Sequence, residues 1–225
     1  MLAGTLSLAA ALAAPVDAQI LRLPKRTDVP IAWISASAGF LQPNTVNDGT
    51  TQSEWDFGSG IQYRASLERG IANQSSIGVA GTYAPSMPLR YYSAATCGTC
   101  NAHATISSIG AFFHAGGGLG LFQVLEVTVG LTHYGSFTAD EAQASPLPLA
   151  GSTRALPPEG GDSDFSFGLG YGFGYGLSAR THIMLVQDAT QVLHQSEGLS
   201  GNASRSSTHY TTRLGLRIGA GHRKL

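Results

Sequence analysis

The chain has 225 residues with 13 basic and 14 acidic side chains, and this balance excludes the basic surface that nucleic-acid binding requires. Only 12% of the residues are charged and 29 are glycine, so the sequence supplies less charge than a water-exposed surface normally carries. The length suits one domain, and all-β barrels of this size are commonly single domains.

The N-terminal segment has the pattern of an export signal. Residues 2–15 are apolar and uncharged, and Val16-Asp17-Ala18 forms a small-x-small cleavage pattern before Gln19. The sequence therefore predicts a signal peptide over residues 1–18 and a mature domain over 19–225, with a short buried helix as the alternative. No other stretch has the ~18 consecutive apolar residues of a membrane helix, so any membrane crossing is predicted to use strands.

Eight segments alternate apolar and polar residues with the period of a β-strand. They predict strands near residues 31–41, 53–68, 74–84, 103–115, 119–135, 163–178, 182–194 and 207–220. In the second segment, one face is apolar and consists of Trp55, Phe57, Ile61, Tyr63, Ala65 and Leu67. The opposite face is polar and includes Glu54, Asp56, Gln62, Arg64 and Glu68.

The sixth segment, FSFGLGYGFGYGL, is the most regular of the eight. Its even positions are glycine apart from Ser166. Its odd positions are large and apolar, namely Phe165, Phe167, Leu169, Tyr171, Phe173, Tyr175 and Leu177. The fifth segment adds Glu126 to the polar face, and the eighth adds Arg213 and Arg217. Both faces of residues 182–194 are apolar, which leaves the register of that strand open.

The predicted connections alternate between short and long. Short links near residues 69–73, 116–118 and 179–181 separate long links at 42–52, 85–102, 136–162 and 195–206. Short turns at one end and long loops at the other are typical of closed antiparallel barrels in outer membranes. The predicted fold class is therefore all-β, an eight-stranded antiparallel up-and-down transmembrane β-barrel behind a signal peptide.

A membrane setting determines what each face of the sheet contacts. Hydrocarbon offers no hydrogen bonds, so a spanning sheet must close on itself, and the odd positions of the sixth segment are predicted to face lipid. The interior is predicted to receive Glu54, Asp56, Gln62, Arg64, Glu126, Arg213 and Arg217. Because an isolated buried charge is very costly, we expect these side chains to pair across the lumen and plug it.

The alternating strands, the loop asymmetry and the closing sequence LGLRIGAG resemble the OmpA-, OmpX- and OmpW-type outer-membrane β-barrel superfamily of Gram-negative bacteria. The resemblance covers essentially the whole mature chain. It implies insertion into outer-membrane lipid by the outer-membrane assembly machinery and periplasmic N- and C-termini. Roles in this superfamily range from envelope integrity to adhesion or the passage of small hydrophobic molecules, and the resemblance implies one of these.

The only two cysteines, Cys97 and Cys100, stand in a predicted loop as Cys-Gly-Thr-Cys. An exported protein meets oxidising conditions, which favours a small structural disulfide between them. A metal site with His103, a redox pair and free thiols are the alternatives. The redox alternative lacks the helix N-terminus that commonly lowers a thiol pKa.

Other motifs favour structural interpretations over chemistry. The glycines from Gly116 to Gly120 precede no helix and no lysine, so they predict a turn. Asp162 and Asp164 could bind Ca²⁺ with Glu159, although solvated acidic residues are the commoner case. His133 and Ser136 would fall on opposite faces of a strand, which disfavours a hydrolase pair there. The sequence predicts no catalytic residue, metal or cofactor, and a protein that is not an enzyme.

The predicted function is a structural or surface-interaction barrel of the outer membrane. The link at residues 136–162 is too long for a simple connector, so we expect it to meet an extracellular partner. A narrow channel or transporter for small hydrophobic molecules is the alternative, and a soluble lipocalin-like carrier with reversed faces is a further one.

Overall fold

A computed structural model describes residues 30–48, 53–72, 74–93, 97–139, 162–193 and 206–221. The predicted signal peptide lies outside these residues. The strands are β1 (Ala32–Pro43), β2 (Val46–Asp48), β3 (Ser53–Phe57), β4 (Gly60–Ala72), β5 (Ser75–Ser93), β6 (Cys97–Ala115), β7 (Gly120–Ala139), β8 (Asp162–Ser178), β9 (Thr181–Leu193) and β10 (Ser206–Ala220). Among the described residues, no helix is long and apolar enough to cross a membrane.

These ten segments form eight barrel strands. β1 with β2 makes the first and β3 with β4 the second, because β4 and β3 pair with successive parts of β5. Every neighbouring pair is antiparallel, and the sheet closes through the pairing of β1 with β10 at one seam and of β5 with β6 at another. The predicted closed, eight-stranded, up-and-down barrel is thus confirmed.

The short connections and both described chain ends lie at one end of the barrel, which we call the turn end. There Ala32 pairs with Ala220, and β6 joins β7 through the turn that begins at Gly116. Gly116 and Gly118 both have a φ of +134°, which only glycine adopts without strain, so the predicted glycine turn is present. The opposite end, the loop end, carries residues 140–161 and 194–205, which lie outside the described part of the chain.

The prediction of a long link at residues 85–102 is wrong. β5 continues to Ser93 and β6 begins at Cys97, so most of the expected loop is a strand pair. Its prolines and serines suggested a loop, but the β5–β6 register shifts between Ala84 and Met87. Such an irregularity accommodates Pro85, which has no N–H to donate to the ladder.

The facing of the second predicted strand changes partway along it. Gly58 and Ser59 separate β3 from β4, opposite the irregularity in β5. Ile61 and Tyr63 are exposed on the outer face, whereas Trp55 and Phe57 turn into the lumen and are only 8% and 5% exposed. A break that adds one residue to a period of two exchanges the faces beyond it.

The outer surface carries a belt of exposed apolar side chains. On β8 the seven predicted lipid-facing residues are 44–58% exposed, and the residues between them are buried. The outer faces of β7 and β10 continue the belt with residues such as Val127, Val129, Leu214 and Leu216. Beyond Leu131 and Phe165 the belt ends at a polar pair, in which Nδ1 of His133 lies 2.9 Å from Oγ of Ser163.

The glycines of β8 allow neighbouring groups to lie against its inner face. A Cβ at Gly172 would overlap the carbonyl oxygen of Leu185 on β9, and one at Gly174 would overlap the ring of Phe122. A Cβ at Gly170 would overlap a carboxylate oxygen of Asp188. The space beside this strand is therefore occupied by side chains and backbone of the neighbouring strands.

Gly170→Leu should destabilise the barrel by about 1–3 kcal/mol, because the new side chain would displace the Asp188 carboxylate inside a packed lumen. Gly81→Leu is the matched control, since Gly81 faces outward and a Cβ there meets only the Ser108 carbonyl at 3.6 Å. Urea unfolding of the refolded protein in micelles measures both changes. Equal stability of the two variants would contradict the assignment of Gly170 to the lumen.

Candidate functional site

The centre of the lumen holds a cluster of ion pairs around Glu126 of β7. Its carboxylate lies 2.5 Å from Nη2 of Arg213, 3.1 Å from Nη2 of Arg64 and 3.0 Å from Nδ1 of His114. Arg213 on β10 and Arg64 on β4 reach Glu126 across the lumen, whereas His114 lies on the neighbouring strand β6. The Arg64 contact is an ion pair by distance only, since no described residue is aligned to accept a hydrogen bond from that Nη2.

Asp188 of β9 adds a second carboxylate to this cluster. Its Oδ2 lies 2.5 Å from Nε of Arg213, which therefore contacts two carboxylates at once. Gly170 on β8 leaves the room that the Asp188 carboxylate occupies. Two arginines and two carboxylates thus balance in charge within a group whose side chains are 4–14% exposed.

A second ion pair lies in the lumen nearer the turn end. Nη2 of Arg217 lies 2.6 Å from Oε2 of Glu68, and both groups contact the hydroxyl of Ser76 at 2.9 and 2.6 Å. The guanidinium of Arg217 lies 4.0 Å from the centre of the Trp33 ring, a cation–π contact. His182 of β9 is the cross-strand partner of Arg217, and its ring centre lies 4.8 Å from that of Trp33.

A small chamber with a mixed polar and apolar lining adjoins the central ion pairs. It has a volume of about 50 Å³, which is enough for a few water molecules. Hydroxyl groups from several strands line it, together with Gln62, Arg64 and Asp188; these hydroxyl residues are Thr82, Ser108, Thr128, Thr132, Ser166, Thr190 and Thr211. The chamber is far smaller than a drug-sized ligand site, which occupies about 300–1,000 Å³.

An apolar cluster fills the lumen towards the loop end. Its members are at most 8% exposed and are Leu41, Trp55, Phe57, Ala84, Met87, Leu89, Ala102, Ala104, Ile106, Tyr134 and Val192. The hydroxyl of Tyr134 lies 2.8 Å from Nε2 of His209. In the described residues the lumen is therefore occupied in successive layers by ion pairs, hydroxyl groups and apolar side chains.

The structure brings together five of the seven predicted interior residues. Arg64, Glu126, Arg213 and Arg217 take part in the ion pairs, and Gln62 lies 3.5 Å from the hydroxyls of Thr82 and Thr211. The other two predicted residues, Glu54 and Asp56, belong to β3.

The prediction of an interior Asp56 is wrong. Asp56 is exposed, pairs across the strands with Arg90, and its Oδ1 lies 3.4 Å from the hydroxyl of Thr45. The break at Gly58 and Ser59 explains the error, because the prediction treated residues 53–68 as one regular strand. The side chain of Glu54 lies outside the described part of the structure.

The sequence did not identify Asp188, His114 or Ser76 as members of the network. Asp188 was missed because both faces of its strand are apolar; in the structure Met184 and Val186 point inward with it, and Ile183 and Leu185 point outward. His114 could have been identified from the sequence, because the predicted glycine turn joins its strand to the strand of Glu126. In the structure the two residues are direct cross-strand partners on β6 and β7.

Cys97 and Cys100 lie on β6 rather than in a loop, opposite Ser93 and Tyr91. Their side chains lie outside the described part of the structure, so the predicted disulfide stays a prediction. The Asp162 carboxylate also lies outside the described part of the structure. Asp164, which the sequence suggested to be solvated, is fully buried. The described residues contain no group of three or more histidine, cysteine or acidic side chains placed to hold a metal ion.

Comparison with known proteins gives structural matches only. No family model and no curated protein matches the sequence. The chain is similar in structure to neisserial surface protein A (NspA), with a TM-score of 0.52 and 14% identity over 84% of this chain and 96% of that one. Its fold is that of the small outer-membrane β-barrels.

A second similar structure is the outer membrane protein OprG from Pseudomonas aeruginosa, at 10% identity and a TM-score of 0.48 over 86% of this chain and 98% of that one. Ail, the attachment invasion locus protein of Yersinia pestis, matches at 14% identity and a TM-score of 0.39, over 83% of this chain and 99% of that one. At such identities the similarity extends to the fold alone.

Proposed function

We propose that this protein is an integral outer-membrane barrel with a closed lumen and a structural or surface-interaction role. One observation carries the proposal: the closed barrel is charged inside and apolar outside. Buried ion pairs such as Arg217–Glu68 lie within the lumen, while large apolar side chains cover the outer surface. A soluble carrier would place these two surfaces the other way round.

The height of the apolar belt supports insertion into a bilayer. On β8 the exposed apolar residues run from Phe165 to Leu177. At about 3.3 Å per residue and a strand tilt of about 40°, this stretch is about 30 Å tall, which approximates the hydrocarbon core. Outer-membrane lipid would then be the principal partner, and the assembly machinery would insert the barrel from the periplasm.

The asymmetry of the two ends supports a surface role. Outer-membrane barrels place short turns in the periplasm and long loops outside, so the N- and C-termini would be periplasmic. The long segments, including residues 140–161 of the predicted link 136–162, would then face the exterior, where they could meet an extracellular partner. The similar NspA is named a surface protein, which agrees with this orientation.

The alternative function, a narrow channel for small hydrophobic molecules, fits the described lumen less well. Its chamber is lined by hydroxyl and charged groups as well as by apolar side chains, and ion pairs adjoin it. A hydrophobic solute would have to separate those charges or pass through the wall, where neighbouring strands are paired around the whole barrel. Nothing in the described part of the lumen favours an enzymatic role.

Fractionation tests the membrane assignment. We expect the protein to remain with the outer membrane after a carbonate wash, because the apolar belt is satisfied only by lipid. On gels it should migrate faster when unheated than when boiled, since small barrels resist unfolding by detergent. Recovery in the soluble periplasm, alongside a soluble marker protein, would overturn the proposal.

A further inference from the structure

Two polar pairs interrupt the apolar belt along β9 and β10. On the outer face, the Thr212 hydroxyl donates to Oε1 of Gln187, and the Thr208 hydroxyl donates to Oε1 of Gln191 at 2.7 Å. We call these four residues the polar seam. Gln187 and Thr212 are exposed, and Gln191 and Thr208 are partly exposed.

The polar seam lies within the belt rather than at its edge. Gln187 is paired with Tyr171, the middle one of the seven exposed apolar residues of β8. Gln191 is paired with Phe167 of the same row. In a bilayer these amides would therefore lie in the hydrocarbon region, where no water is available to bind them.

The hydrogen bonds from the threonines reach only the carbonyl oxygen of each glutamine amide and leave its nitrogen without an acceptor in the described part of the chain. The threonines donate to the two carbonyl oxygens, but neither amide nitrogen donates to any residue that the structure describes. In hydrocarbon these N–H groups need acceptors from another molecule, and lipid tails have none. Each carbonyl oxygen still has one lone pair free.

Exposed apolar side chains surround the polar seam. Ala189, between the two glutamines, is paired with Leu169 of β8 and Tyr210 of β10, which are 56% and 44% exposed. In membranes, polar side chains hold neighbouring protein segments together through hydrogen bonds. The unused amide donors therefore favour a protein neighbour.

We propose that the polar seam is the contact surface for a second copy of this chain, an inference that rests on the membrane insertion proposed above. An amide presents a donor and an acceptor side by side, so two such surfaces related by a twofold axis complement one another. The amide nitrogen of one copy donates to the free lone pair of a glutamine carbonyl in the other. Twofold dimers with the same patch on both subunits are the commonest symmetric assemblies.

Disulfide trapping tests this contact in lipid. Ala189→Cys is placed in a Cys97→Ser, Cys100→Ser background, and the purified protein is reconstituted into phosphatidylethanolamine and phosphatidylglycerol vesicles. Mild oxidation should trap most of it as a dimer. Ile109→Cys in the same background is the control, because Ile109 is exposed on β6, on the opposite side of the barrel, and it should give at least tenfold less dimer.

Glutamine variants separate the dimer from the barrel itself. Adding Gln187→Leu and Gln191→Leu should reduce trapping at position 189 at least tenfold, while the faster migration of unheated protein persists. Gln123→Leu is the matched control, since Gln123 is exposed on β7 outside the polar seam, and it should leave trapping unchanged. Equal trapping at positions 109 and 189, or none in protein with normal unheated migration, would overturn the dimer alone. Loss of that migration in the unmodified protein would overturn the proposed function as well.

Discussion

Replacing Glu126 with alanine should lower the free energy of unfolding by about 3–5 kcal/mol, because it leaves buried arginine charge without its counter-ion. Glu126 contacts both Arg64 and Arg213, and its side chain is only 4% exposed. Asp188 can still neutralise Arg213, so most of the destabilisation should come from the unpaired charge of Arg64. Urea unfolding of the refolded barrel, followed by the fluorescence of its two tryptophans, measures the change.

Asp56→Ala is the matched control for this experiment. It removes an equal charge from the same barrel, but Asp56 is exposed and should change stability by less than about 0.5 kcal/mol. A Glu126 variant as stable as the Asp56 variant would mean that the central ion pairs do not form.

Leu169→Arg should cost about 2–4 kcal/mol, because a cation on the lipid face near the bilayer midplane has neither water nor a counter-ion. Leu169 is 56% exposed and lies in the interior of the apolar row of β8. Refolding into lipid vesicles, scored by the fraction of unheated protein with faster migration, reports the loss.

Leu177→Arg provides the depth control. Leu177 is the last exposed apolar residue of the same row, where the cost of arginine should fall to about 0–1 kcal/mol. If both variants folded as well as the unmodified protein, the row of β8 would not face lipid.

The alternation of β8 made its facing predictable from sequence. Every second residue is large and apolar, the residues between are small, and no irregularity interrupts the ladder from Asp162 to Gly176. The same reasoning failed in the second strand, where WDFGSGIQY alternates apart from Ser59. There the break at Gly58 and Ser59 lies opposite the irregularity of β5 at Pro85, which is distant in the chain and which a local pattern does not contain.

The ionic network was predictable in its composition but not in its connections. Charges of both signs on predicted inner faces required pairing, and Arg64, Glu126, Arg213 and Arg217 did follow from alternation. Which carboxylate contacts which arginine depends on the stagger between distant strands, as in the pair of Arg217 on β10 with Glu68 on β4. Asp188 could not be assigned, because its strand has two apolar faces and only pairing with β8 and β10 fixes its register.

Conductance measurements on the unmodified protein test the closed lumen most directly. Protein whose unheated migration shows a folded barrel is added to a planar lipid bilayer, and current is recorded over a range of voltages. The ion pairs around Glu126 and the apolar cluster at the loop end predict no steady ohmic conductance. Stable, porin-like open channels would contradict a closed lumen and favour the transport alternative.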